Sequence, residues 1–394
     1  MGKFDDPVAL RKERVAAFNG AIRKDVEPTR IPTYSNGHTW WIYDAGYKLT
    51  ECVFDYTKMF DAVCRFAEIY QFDSYTAVGA RNAATYMCKA AGLLDNQIYD
   101  LDREEGLNVT DSEKMSSDEY AARIEKGAAK FAFENVLPRL FKTKEAAIEG
   151  IAKAARVAAE TNIYSAKILD RLYNHYGVPD QVSGVFVPPF EEVMNMRGIK
   201  GMSLDLRRKS DELDDFCHKA YEQLGGGINF VLSQYNPDRD VCFTNWTYGL
   251  AHTFLSGKQF ERFYVPYFNE LVDVTVKNDW TAMFLMEGSV KPEEDYFRDM
   301  PEGHFSLYLE NDDIREFKKN VPNLTPLGGL GRTNLGLGTP EQCIDEAKGL
   351  IDDVGYDGKY IMSTASIMSW PIDAKGENLK AVMDFVREYG KMKK

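Results

Sequence analysis

Residues 281–288 read Thr-Ala-Met-Phe-Leu-Met-Glu-Gly, an almost unbroken apolar run that stops at a carboxylate and a glycine. Such a run is what a strand buried on both faces looks like, so Glu287 stands where the strand leaves the core at its C-terminal end. The pattern recurs shortly afterwards: Phe305-Ser306-Leu307-Tyr308-Leu309 ends in Glu310-Asn311-Asp312-Asp313. Two successive strands that end in acids, with a helix-length segment between them, describe β/α units delivering carboxyl groups to one rim of a parallel barrel or sheet. That rim is where α/β enzymes keep their sites. A carboxyl group at the end of an apolar strand has surroundings that raise its pKa by desolvation, so Glu287 could keep a proton for a leaving group. Its plainer reading is a carboxylate paired with a rim arginine.

Other side chains could join it. His38, Trp40, Trp41 and Tyr43 follow a first strand and could wall an aromatic substrate, with His38 or a tyrosine holding a ring oxygen; aromatics there also pack against a barrel mouth. Asn245 and Trp246 close a strand, and His252 follows on the rim, either as a substrate or metal contact or as a surface histidine on a helix. Glu310, Asn311 and Asp312 could bind metal or orient substrate, although rim acids are often only solvated. His175, His218 and His304 fall in helical or loop patterns and read as structural. The run Gly328-Gly329-Leu330-Gly331-Arg332 lacks the Gly-Lys-Ser/Thr of a phosphate loop.

These candidates need a scaffold. Residues 1–29 read as a leading helix, with Val8, Leu10, Val15, Phe18 and Ile22 apolar, that ends before Pro28. Strand candidates follow at Arg30–Ser35, Tyr75–Gly79, Val182–Pro189, Ile228–Leu232, Asp240–Trp246, the two acid-tipped runs, the glycine-rich end Leu324–Gly331, and Tyr360–Ser363. Between them lie helix patterns: Met59, Phe60, Val63, Cys64, Ala67 and Tyr70 share one face, and Phe260 to Val276 reads as one long helix. Thr339-Pro340-Glu341-Gln342 is a strong helix start, and residues 90–174 are mostly helical apart from a hairpin-sized piece near Ile98 to Val109. About eight strands interleaved with helices predict a single (β/α)8 TIM barrel over residues 1–394, with an N-terminal helical extension and a helical insertion after the second strand.

Composition narrows the partners. Sixty-one acidic residues against 48 basic give a net charge of −13, which disfavours nucleic acid and anionic membranes. No apolar run reaches the roughly 18 residues of a membrane span, and the first residues are charged, so a soluble, cytoplasmic protein is expected. The six cysteines are scattered without a C-x-x-C pair and read as reduced core residues.

The C-terminal third carries a family resemblance. Gly338-Thr339-Pro340-Glu341-Gln342, Gly349-Leu350-Ile351-Asp352, Tyr360-Ile361-Met362-Ser363, Glu377-Asn378-Leu379-Lys380-Ala381-Val382 and Arg387-Glu388-Tyr389-Gly390 together resemble the uroporphyrinogen decarboxylase superfamily, which also holds cobalamin-dependent methyltransferases. Upstream, Arg197-Gly198 with Asp205, Phe260 with Phe263-Tyr264 and Pro266, and Met115 with Glu119-Tyr120 and Pro138-Arg139 extend the likeness over nearly the whole chain. The resemblance implies a TIM barrel. It also implies, for a porphyrinogen decarboxylase, two substrate-binding arginines in an Arg-Gln-Ala-Gly-Arg context, where this chain has Tyr43-Asp44-Ala45-Gly46-Tyr47. The zinc-dependent thiol methyltransferases carry His-x-Cys-Gly where this chain has Leu285-Met286-Glu287-Gly288, and a last cysteine ligand near Ser363-Thr364-Ala365. A thiol-activating zinc site is therefore not expected, and no metal ligands are assigned.

The branch that remains takes a methyl group from a small methylated substrate, often a methyl ether such as a methoxylated aromatic, and passes it to the corrinoid (cobalamin) of a separate corrinoid-binding protein. Within that expectation Glu287 and His38 are catalytic, and Trp40, Trp41, Tyr43, Asn245, Trp246, His252, Glu310 and Asn311 bind substrate. Gly328, Gly329 and Arg332 would meet the flat corrinoid, with a homodimer left open as the assembly. Decarboxylation of a uroporphyrinogen-type acid is the alternative, and a catalytically silent corrinoid-protein-binding barrel a third reading.

Overall fold

The computed structural model describes residues 4–75, 111–223 and 227–392. Its strands are β1 (Tyr34–Ser35), β2 (Ser74–Tyr75), β3 (Asp180–Phe186), β4 (Val241–Gly249), β5 (Ala282–Met286), β6 (Phe305–Leu309), β7 (Thr325–Leu330) and β8 (Ile361–Thr364). β3 to β8 pair in sequence order as one parallel sheet, β1 and β2 pair in parallel, and a parallel bridge from Thr33 to Met362 joins β1 to β8. With helices between successive strands, this is the expected TIM-barrel-like α/β fold with an N-terminal helix and inserted helices.

Strand alternation sorts the side chains into two cores. Met283 and Leu285 of β5 meet Tyr34, Tyr308, Leu327 and Ile361 inside the barrel, while Ala282, Phe284 and Met286 join the larger core beneath the helices. The helix Pro7–Ile22 closes the end at which the strands begin. It is capped by Asp6, and its Phe18, Ala21 and Ile22 sit in the interior core, with Phe18 edge-on to Phe243 at 5.4 Å. Arg11 donates to Asp240 at 2.8 Å and Arg14 to the Tyr176 and Gly177 carbonyls, fastening this plug to the chain entering β3 and β4. With the floor plugged, the C-terminal ends of the strands form the mouth.

Several expectations change. Ile228–Gln234 is a helix, not a strand: Gly227 opens it at φ 59°, Val231 is buried, and Phe230 and Leu232 face outward. A short apolar run does not by itself distinguish the two, and removing this one brings the strand count to eight. The expected helix from Phe260 to Val276 is two helices, Gly257–Phe263 and Val265–Lys277, broken beside Pro266, which has no N–H to continue the ladder. Trp40–Asp44, just after β1, is a short helix. The insertion is helical where described, ending in the 31-residue helix Lys144–Asn174, and the hairpin-sized piece near Ile98 to Val109 lies outside the described residues. Among the described residues no helix is long and apolar enough to cross a membrane, and the five described cysteines are unbridged.

Candidate active site

The register of β4 and β5 builds the inner wall of the mouth. Thr244 and Asn245 both give their N–H to the Thr281 carbonyl, at 2.9 and 3.0 Å, so a bulge shifts the alternation of β4 by one residue. Beyond it Trp246 and Tyr248 pack with the interior core, their rings 5.5 Å apart, and pair in register with the inward-facing Met283 and Leu285. Glu287 continues the Met283–Leu285 face and is half-buried. Its main chain is held at both polar atoms. The N–H donates to the Gly249 carbonyl at 2.9 Å, and the carbonyl lies 2.7 Å from Nε2 of His252.

His252 is fully buried, which corrects the surface reading. Its Nδ1 stands 3.8 Å from Oε2 of Glu293, also buried, and neither atom has a hydrogen-bond partner. It therefore supports Glu287 from behind, and Gly249 makes the room: a Cβ there would lie 2.7 Å from Met286 Cε and 3.3 Å from the His252 ring.

One acid at this place was not anticipated. Glu191, in the first turn of the helix Pro189–Arg208 that follows β3, has no solvent exposure. Its Oε1 accepts from the N–H groups of Leu250 (2.8 Å) and Ala251 (3.2 Å) and from the hydroxyl of Tyr264. Its Oε2 has no partner. Burial pushes its carboxyl up from the ordinary range against the lowering effect of those three donors and of His252. Tyr248 is pushed up to about 12, first by burial and then by the charges of Glu191 and Glu287. The signal existed: Pro188-Pro189-Phe190-Glu191 is another carboxylate just past a strand end, and Tyr248 is two residues on from Trp246.

Other candidates fall elsewhere. Trp40 and Trp41 are buried under the helices, and the Trp40 indole donates to the Ala374 carbonyl at 2.9 Å, packed on Phe66 and Tyr70, so Trp40 does not face the mouth. His38 and Tyr43 are half-buried beyond β1, and the His38 N–H donates to the Met368 carbonyl at 3.0 Å. Below the bulge Asn245 lies on the outer face, its Oδ1 3.4 Å from where a Gly184 Cβ would sit. Glu310 accepts the Gly288 N–H at 2.8 Å and ties the loop after β5 to the end of β6, and Asn311 is exposed.

The glycines of β7 are close-packed against their own chain. A Cβ on Gly328 would lie 2.8 Å from the Leu309 carbonyl oxygen and one on Gly329 3.0 Å from Leu350 and Tyr360, so the chain's own packing requires both. Arg332 is exposed and reaches Asp373 at 3.2 Å, joining the loops after β7 and β8. Asp44 accepts from Tyr70 at 2.7 Å under the outer helices, so its charge is not aimed at the mouth. Among the described residues no three His, Cys, Asp or Glu side chains come together as a metal site.

The model of the uroporphyrinogen decarboxylase family (URO-D) matches residues 134–389, well over half of the chain. The chain belongs to this family. No curated protein matches it in sequence. Among solved structures it is similar to a methyltransferase from Methanosarcina mazei, at 15% identity over 96% of this chain and 98% of that one, with a TM-score of 0.59. At that identity the likeness is one of fold. Family membership supports a catalytic role for the chain.

Proposed function

We propose that this URO-D family member transfers a methyl group from a small methylated molecule, a methyl ether such as a methoxylated ring, held inside the mouth. The acceptor is the corrinoid of a separate protein that docks over the rim as second substrate and supplies the nucleophile. The feature that supports this reading is the pair of carboxyl groups at the ends of β3 and β5, the buried Glu191, which burial pushes up from the ordinary range, and the half-buried Glu287, beside the inward-packed Trp246 and Tyr248 of β4. When the methyl–oxygen bond breaks, the electron pair stays on oxygen, and a carboxyl group that has kept its proton neutralises it. Glu287 is the group that faces the substrate in this scheme. Trp246 and Tyr248 supply the flat wall, and the side-chain placement of Trp40 removes it from that role.

Decarboxylation remains the second reading, and the family match taken alone favours it over the first. The outward aim of Asp44 also removes one charge that would have repelled a polyanionic ring. Against it stand the buried Glu191, which no arginine or lysine among the described residues pairs with, and the absence of arginine from 43–47, where the resemblance would place two. Mixing the protein with a Co(I) corrinoid protein and methylated donors is expected to give the methyl–Co(III) absorption band. No band with any donor, together with carbon dioxide release from porphyrinogens, would transfer the conclusion to the second reading.

A further inference from the structure

Two polar side chains on neighbouring strands at the mouth end of the barrel are completely buried, yet the fold does not use them. Asn36 follows β1 and Ser363 lies in β8, both without solvent exposure. The amide oxygen and nitrogen of Asn36 and the hydroxyl of Ser363 have no hydrogen-bond partner among the described residues.

Register brings the two together. Thr33 bridges Met362 in parallel, and the Met362 N–H donates to the Pro32 carbonyl at 2.9 Å, so Ser363 lies beside Tyr34. Tyr34 and Ile361 belong to the interior core, and Asn36 and Ser363 each stand two residues further on. Strand alternation therefore turns both to the inner face, one pleat nearer the mouth than the core. The Asn36 carbonyl accepts the Met368 N–H at 3.0 Å, which fixes its main chain against the segment leaving β8. Tyr308 of β6 reaches the same place from across the interior: its hydroxyl donates to the Thr364 carbonyl at 3.0 Å, and burial pushes that phenol up against a lowering effect of the neighbouring Asn36 amide.

Folding alone does not account for this pair. A buried amide or hydroxyl left unmatched is a cost, and an apolar side chain of similar size would fill either place without it. Polar atoms converging inside a mouth lined by aromatic and apolar groups are what fixes the orientation of a small ligand. Asn36 offers two N–H donors and an acceptor, Ser363 a hydroxyl that does either, and neither carries charge. No arginine or lysine among the described residues pairs with them, and Glu287 and Glu310 stand on the same rim, so an anionic group would be buried here without a cation. A neutral hydroxyl, which donates and accepts at once, suits both side chains.

We infer that Asn36 and Ser363 form a subsite for a neutral hydroxyl of the substrate, Asn36 Oδ1 accepting its proton and Ser363 Oγ donating to its oxygen. The substrate is then a methyl ether that also carries a free hydroxyl, and the inference rests on the methyl-transfer reading for the ether alone.

Calorimetric titration of the full chain with ortho, meta and para methoxyphenol, and with methoxybenzene, which lacks the hydroxyl, tests the subsite without any methyl transfer. At least one methoxyphenol is expected to bind about tenfold or more tightly than methoxybenzene. Equal affinities, or no binding of any of these ligands, overturn the subsite. In Asn36→Leu the preference should vanish through loss of methoxyphenol affinity, with that for methoxybenzene unchanged. Its thermal midpoint should hold or rise, because an unmatched amide has given way to an apolar group of similar size. A lowered midpoint with the preference intact would make Asn36 a structural residue and overturn the assignment. Ser363→Ala decides if that variant does not fold: it should keep the midpoint and weaken the preference, and a wild-type preference would exclude the pair from substrate binding. Should methyl–Co(III) form as readily from methoxybenzene as from the methoxyphenols, the subsite falls and methyl transfer stands. Should no donor give that band while Asn36→Leu still erases the preference, the subsite stands and the reaction reading falls.

Discussion

The two ends of the barrel bury carboxyl groups in opposite ways. At the floor Asp73 is 5% exposed, yet Arg30 reaches both its oxygens at 2.7 and 2.8 Å, Arg14 stands 3.5 Å away, and Thr33 donates from its N–H and hydroxyl. Burial alone would raise this carboxyl; the two arginines and the hydrogen bonds override it and hold Asp73 below the ordinary carboxylate range. At the mouth Glu191 is as deeply buried, has donors to one oxygen only and no arginine or lysine partner among the described residues, and is pushed up. The difference separates two uses of the same functional group. A charge fixed by arginine locks the junction of the N-terminal plug with β1 and β2, whereas an acid denied a cation stays able to give up a proton.

The comparison breaks most visibly at Arg30. Arg30→Met would leave Asp73 buried beside Arg14 alone, and removing one partner of a buried pair costs about 3–5 kcal/mol. Urea unfolding is the measurement. A variant with a near-wild-type midpoint would mean that Asp73 is not held by Arg30 and that floor and mouth do not differ in kind.

Much of this architecture could be read from residue spacing, because strands buried on both faces and capped helices leave local marks. The acid-tipped runs at β5 and β6 and the box at Thr339 with Gln342 all occur where the pattern placed them. Faces were harder to read than elements. Asn245 and Trp246 are adjacent in one strand, and only the shared Thr281 carbonyl shows which of them turns inward. Partners were hardest of all: nothing near Glu191 in the sequence announces that Leu250, Ala251 and Tyr264 will converge on one of its oxygens.

The glycines of β7 carry the same lesson and the next prediction. Spacing allowed Gly328 to be a surface for a flat ligand, whereas its φ of 130° and the Leu309 carbonyl make it a packing requirement. Gly328→Ala is therefore expected to destabilise the fold by about 1–3 kcal/mol. Wild-type thermal stability combined with weakened binding of a corrinoid protein would instead return Gly328 to the ligand surface.

The smallest effect is the sharpest test, because the two ends should respond to pH with opposite signs. Asp73 has its carboxyl lowered in the folded state, so its stabilisation is present above the unfolded value, about 4, and is lost as pH falls through the folded value. Glu191 has its carboxyl raised, so the folded state binds the extra proton, and stability contributed by that acid declines as pH rises from about 4 through the folded value. Each unit of difference corresponds to about 1.4 kcal/mol. Against the wild type, Asp73→Asn should therefore lose most stability near neutrality and least in acid, while Glu191→Gln, which has no proton to release, should gain relative stability as pH climbs from 4 towards 7. Unfolding free energies measured across that interval decide it: parallel profiles for the two variants would mean that both carboxyl groups are ionised in the folded protein, and the mouth would then lack its acid.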